Sequence, residues 1–85
     1  MKYRLVNKGT KNAMSLQSVG IVLGTPAAEI KEGDFLMWNF RSVYVVNSIL
    51  KETEKTLVIS TSPKGSNKVY EQKLKKSRLV CKLES

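Results

Sequence analysis

The stretch Ile30-Lys31-Glu32-Gly33-Asp34-Phe35-Leu36-Met37-Trp38-Asn39-Phe40 opens with turn chemistry and runs directly into a strand with apolar residues on both faces. Gly33 and Asp34 are turn formers, glycine for its backbone freedom and aspartate for its local hydrogen bonds. Side chains alternate along a strand, so Phe35 and Met37 point one way and Leu36, Trp38 and Phe40 the other. The next segment repeats the pattern, with Val43 and Val45 opposite Tyr44 and Val46. A strand that is apolar on both sides needs cover on both sides. These residues therefore predict the start of a small β-barrel with an additional layer outside its first two strands. The N-terminal segment, through Leu16, Val19, Ile21 and Leu23, is the part of the chain available to supply that layer.

Working toward the C-terminus, strands are expected at about 34–40, 43–50, 55–62, 67–74 and 78–83, each bounded by turn residues. Arg41-Ser42 is a tight connection, Lys51 to Glu54 a polar turn, and Ser62 to Asn67 the longest loop. Lys75-Lys76-Ser77 fits a single 3₁₀ turn. The later strands are one-sided: Leu57, Ile59 and Thr61 oppose Thr56, Val58 and Ser60, and Tyr70, Gln72 and Leu74 oppose Val69, Glu71 and Lys73. This leaves the second half of the barrel open to solvent or a partner. The layout is that of an SH3-like small barrel of about five antiparallel strands, a mainly β (α+β) fold.

Working toward the N-terminus, Lys2–Val6 reads as a first short strand or a basic arm, ended by the loop 7–12. Leu16, Val19 and Leu23 recur at i, i+3 and i+7, with Ser15 as N-cap and Gly24 as stop, which predicts a helix over 15–23 packed outside the barrel. A strand is the alternative, because Ser18 to Val22 are weak helix formers. Thr25-Pro26 starts a short turn through Ala27, Ala28 and Glu29. That turn is too short to be the recognition helix of a helix-turn-helix. At 85 residues the chain reads as one domain, residues 1–85, with an N-terminal segment (1–29) and the barrel (30–85).

Fifteen Lys and Arg against seven Asp and Glu give a net charge of +8, a field that favours polyanions. Residues 1–28 carry four bases and no acid, and residues 55–85 carry eight bases against two acids, so the positive charge is concentrated toward the two ends of the sequence. There is no His and only one Cys, which removes the common zinc ligand sets and any intramolecular disulfide. The longest apolar run, Val19–Leu23, is far below the roughly 20 residues that span a bilayer. The expectation is a cytoplasmic protein without membrane contact.

The run Glu29-Ile30-Lys31-Glu32-Gly33-Asp34 resembles the lead-in to the first strand of SH3-like barrels, including KOW and Tudor-like modules. The longer pattern of Leu36 to Phe40, Lys51-Glu52-Thr53, Tyr70-Glu71 and Leu74 to Val80 resembles small proteins encoded by bacterial phages and prophages, and covers most of the chain from Gly24 to Val80. That resemblance implies an origin and supplies no site residues. It leaves inhibition of a host or defence protein open as a role.

The residue inventory does not support catalysis: there is no His, one Asp, one Cys in an apolar strand and no glycine-rich phosphate loop. Cys81 and Asp34 read as structural, and no catalytic residue, metal site or cofactor is assigned. Trp38 and Phe40, set in an apolar run, read as core, although aromatic rings also stack on bases. Tyr44 and Tyr70 are more open, since their hydroxyls need water or a partner. Lys64, Lys68, Lys73, Lys75, Lys76 and Arg78 form the best candidate site, a phosphate track beside an open barrel face. Lys2, Arg4, Lys8 and Lys11 are a possible second patch. The function expected is non-enzymatic, low-specificity binding of DNA or RNA through backbone phosphates. The alternative is a protein-binding module or inhibitor that docks on an acidic protein, with an apolar contact around Val58 and Val69.

Overall fold

Leu36 and Met37 are neighbours in the strand Phe35–Met37, both are buried, and they belong to different hydrophobic clusters on opposite sides of the sheet. Val80 and Cys81 divide in the same way on the strand Leu79–Lys82, which pairs with it. The two-sided apolar pattern of the sequence is thus realised at the centre of the molecule. The computed structural model describes residues 2–84 and is mainly β.

In chain order the strands are β1 (Ala13–Leu16), β2 (Gly20–Leu23), β3 (Thr25–Pro26), β4 (Phe35–Met37), β5 (Val43–Glu52), β6 (Thr56–Pro63), β7 (Tyr70–Lys75) and β8 (Leu79–Lys82). β1 and β2 form an antiparallel hairpin. The other six form one antiparallel sheet in the order β3-β8-β4-β5-β6-β7. Two register shifts in β5 leave Asn47 and Leu50 outside the ladder with β6. Such bulges bend a strand, so this one strand serves both halves of the sheet.

The inner cluster comprises Ala27, Ile30, Leu36, Val46, Leu57, Ile59, Leu74 and Val80, with Trp38 and Ile49 against it. The outer cluster comprises Leu16, Val22, Met37 and Cys81, with Met14, Val19, Val43 and Leu83. The N-terminal segment therefore does cover the outside of β4 and its neighbours. It does so as the β1–β2 hairpin, and the helix expected over 15–23 does not form. Met14, Leu16 and Val22 share the buried face by two-residue alternation and register, whereas Leu23, needed by the helical reading, is on the exposed side. The turn between the strands uses Ser18 at φ +64°, and β2 opens with Gly20 at φ +122°, a geometry that suits glycine and excludes a continuous helix.

Two further expectations change. The sheet is not closed into a barrel by strand pairing. β3 and β7 are its edges, and the 3₁₀ turn Ala27–Glu29 lies against β7, with the Ala27 amide donating to the Arg78 carbonyl (2.8 Å) and the Ala28 amide to the Lys76 carbonyl (3.1 Å). Nor is Lys2–Val6 a free basic arm. The Val6 amide donates to the Ile21 carbonyl (3.0 Å), the Leu23 amide donates to the Arg4 carbonyl (2.9 Å), and Lys2 and Glu84 exchange backbone bonds. No helix among the described residues is long and apolar enough to cross a membrane.

Gly24 joins the hairpin to the sheet and is buried there, its amide donating to the Asn12 carbonyl (2.7 Å). A Cβ at this position would lie 2.9 Å from Met14 Sδ, 3.0 Å from Leu79 Cβ and 3.1 Å from the Asn12 carbonyl oxygen. Gly24→Ala is expected to lower unfolding stability by about 1–3 kcal/mol through overpacking, read as a lower urea midpoint. An unchanged midpoint would mean that the hairpin does not seat against β8 as described.

Candidate nucleic-acid interface

The loop 64–69 and the turn 39–41 are brought side by side at one end of the β4–β5–β6 sheet. The Lys64 amide donates to the Val43 carbonyl (2.9 Å), and Tyr44 pairs with Pro63 across β5 and β6. The loop is ordered by its own bonds: the Ser66 amide donates to the Pro63 carbonyl (3.0 Å), and the Lys68 amide to Ser66 Oγ (3.1 Å). Tyr70, which follows, meets Tyr44 edge to face with ring centroids 6.3 Å apart. Residues 38–44 and 64–70 contain Arg41, Lys64 and Lys68 and no acid.

Lys73 and Lys75 lie elsewhere, on the outer face of β7. Lys73 opposes Val58, which opposes Lys51 on β5, and Lys75 opposes Thr56. Two inter-strand spacings place the Lys51 and Lys73 backbones roughly 10 Å apart, and Lys75 is roughly 7 Å further along β7. Glu71, opposite Ser60, stands on the same face and separates these lysines from the loop. Lys64 and Lys75 flank the two ends of β6, whose eight residues span roughly 25 Å.

The six-residue basic site expected from the sequence is therefore two groups. Its other members are engaged locally. Lys76 Nζ is 2.6 Å from Glu52 Oε2, and the Arg78 guanidinium sits 5.6 Å from the centre of the Trp38 ring. The second patch is not a single unit either. Lys2 and Arg4 line a groove with Tyr3, Leu23, Lys82 and Glu84, and Lys82 itself pairs with Asp34 at 3.5 Å. Lys8 and Lys11 sit on consecutive turns between residues 7 and 13, and Lys8 borders a separate depression with Met14 and Ile21. Val58 and Val69 do not form one apolar patch, because Val58 is half-buried between Lys51 and Lys73 while Val69 lies in the loop before β7.

Phe40, Arg41 and Lys51 escape a sequence reading that treats Phe40 as core and leaves Lys51 to a turn. Phe40 is 62% exposed. β4 ends at Met37, and Asn39 to Arg41 form the connection, with Phe40 at φ +61° and Arg41 at φ +60°. Asn39, a turn residue directly after Trp38, is the signal that the strand stops before Phe40. Trp38 does pack against the inner cluster.

Asp34 and Cys81 are both tied into the fold. Asp34 Oδ2 accepts the Lys31 amide at 2.7 Å and closes the turn that precedes β4. Cys81 is fully buried, and burial pushes its thiol above the ordinary range. Among the described residues no three His, Cys, Asp or Glu side chains are grouped to hold a metal ion. Comparison with protein-family models, curated proteins and solved structures finds no match to this chain.

Two outcomes follow from these placements. Arg78→Ala is expected to cost about 0.5–1 kcal/mol through loss of the cation–π contact and to shift Trp38 emission; unchanged emission would place the guanidinium elsewhere in solution. For Cys81 the raised folded pKa means that its contribution is fully present at neutral pH. Stability should fall as pH rises through the ordinary thiol value, about 8.5, and toward the folded value. Cys81→Ala should remove that part of the decline in a pH series of urea unfolding, and an identical pH profile would contradict the assignment.

Proposed function

We propose that this protein is a non-enzymatic nucleic-acid binder of low sequence specificity, built on an SH3-like scaffold. The scaffold reading is supported by the strand order, a β4–β7 meander whose following strand, β8, returns to pair with β4. The observation that carries the binding reading is the convergence of Lys51, Lys73 and Lys75 on one open face, with Arg41, Lys64 and Lys68 at the adjoining end. Among the described residues only Lys76 and Lys82 have an acidic partner, so these six cations remain available to phosphates.

Five of the six are lysines. An ammonium is a compact point charge without the planar fork that reads a guanine edge, so contacts of this kind position a backbone and carry little base information. Lys76 is a poor probe, because reversing its charge would also confront Glu52.

Fluorescence anisotropy with labelled oligonucleotides at low and near-physiological salt tests this reading. Binding is expected to weaken linearly on a log–log salt plot, as counterion release requires. Lys73→Glu combined with Lys75→Glu should weaken binding by about tenfold or more and flatten the slope by roughly 1.4–1.8, since each lost phosphate contact removes ~0.7–0.9. Absence of binding at low salt, or binding indifferent to salt, would refute the reading and direct attention to an acidic protein partner.

A further inference from the structure

Phe40 combines two costs that a chain ordinarily avoids. The residue is 62% exposed, and its backbone is held at φ +61°, a left-handed conformation that is uncommon for a bulky side chain. Single exposed apolar residues need no explanation, but strained ones point to a constraint imposed by the surroundings. Here the constraint is visible. The Gln17 amide donates to Asn39 Oδ1 (2.8 Å), and the Phe40 amide donates to the Gln17 carbonyl (2.8 Å). The turn of the N-terminal hairpin thus clasps the β4–β5 turn and fixes where Phe40 leaves the backbone.

The first residue of the neighbouring strand β7 adds a second ring. Tyr70 is 46% exposed and is backed edge-on by the half-buried Tyr44. Both exposed rings occur in segments that carry Arg41, Lys64 and Lys68 and no acid. Exposed aromatic rings beside basic side chains are the combination that binds unpaired bases, with the rings stacking on bases and the cations following the phosphates. A protein partner would need acidic groups around an apolar socket, whereas a single strand supplies negative charge and flat apolar faces together. Paired bases inside a duplex have both faces covered by their neighbours.

Resting on the proposed nucleic-acid binding, we infer that the preferred ligand is a single strand, whose bases stack on Phe40 and Tyr70 while Arg41, Lys64 and Lys68 contact the adjacent phosphates. Tyr70 shares its face of β7 with Gln72 and Leu74, so Lys51, Lys73 and Lys75, on the outer face beyond Glu71, are a separate phosphate contact.

The test compares a thymine 15-mer with a blunt duplex of the same length, by anisotropy at low salt, for the wild-type protein and for Phe40→Ala, Phe40→Leu, Phe40→Tyr and Tyr70→Ala. Circular dichroism melts verify that each variant is folded. The wild type is expected to bind the single strand about tenfold or more tighter than the duplex. Phe40→Ala, Phe40→Leu and Tyr70→Ala should each lose on the order of tenfold for the single strand, with duplex affinity and salt slope unchanged. Phe40→Tyr should retain binding, because a phenol ring still stacks. Equal affinity for the two forms, or a Phe40→Leu variant that binds as well as the wild type, would overturn the inference and leave phosphate binding intact. Failure of both forms to bind would overturn the binding reading and this inference together.

Discussion

The structure depends on the burial of β4 and β8 from both sides. Leu36 and Val80 contribute to one cluster, while Met37 and Cys81, the next residue along each strand, contribute to the other. A single sheet with one solvated face cannot satisfy such strands. A second layer is required, and the β1–β2 hairpin is that layer. Gly24 is the point at which the hairpin turns into the sheet, and its missing side chain is what allows Met14, Leu79 and the Asn12 carbonyl to close around it.

The covering hairpin has a consequence beyond packing. Its turn reaches the connection between β4 and β5 and binds it through Gln17, Asn39 and the Phe40 backbone. The same element that completes the outer core therefore fixes the exposed aromatic turn. The bulged strand β5 links this end of the sheet to the lysine-bearing outer face of β6 and β7. The proposed binding surface is in this sense a product of the core, since its position follows from where β4 must end and what must cover it.

Much of the strand framework was legible in the residues, because alternation and turn chemistry are local. The strands from β4 to β8, the cover over the outer face and the role of Asp34 follow from such signals. The helix over 15–23 did not form because the spacing of Leu16, Val19 and Leu23 competes with a two-residue alternation of Met14 and Leu16. The β-branched residues and Gly20 tip the balance once a flat sheet surface is available. Barrel closure depends on what the two edges meet, and here a 3₁₀ turn bridges them. The basic group was less legible than the strands. Neighbours in sequence such as Lys75 and Lys76 have different fates, one open and one held by Glu52, while Lys51 and Lys73 become neighbours only through strand register. The Phe40 backbone is tied to Gln17, twenty-three positions away, and no local pattern encodes that.

The most direct test is a backbone amide chemical-shift titration of the labelled protein with a single-stranded oligonucleotide. The proposed surface requires the largest changes at Phe40, Arg41 and residues 64–70, with further changes at Lys73 and Lys75 on the outer face. Changes confined to the groove of Lys2, Arg4 and Lys82, or spread evenly over all exposed lysines, would contradict it.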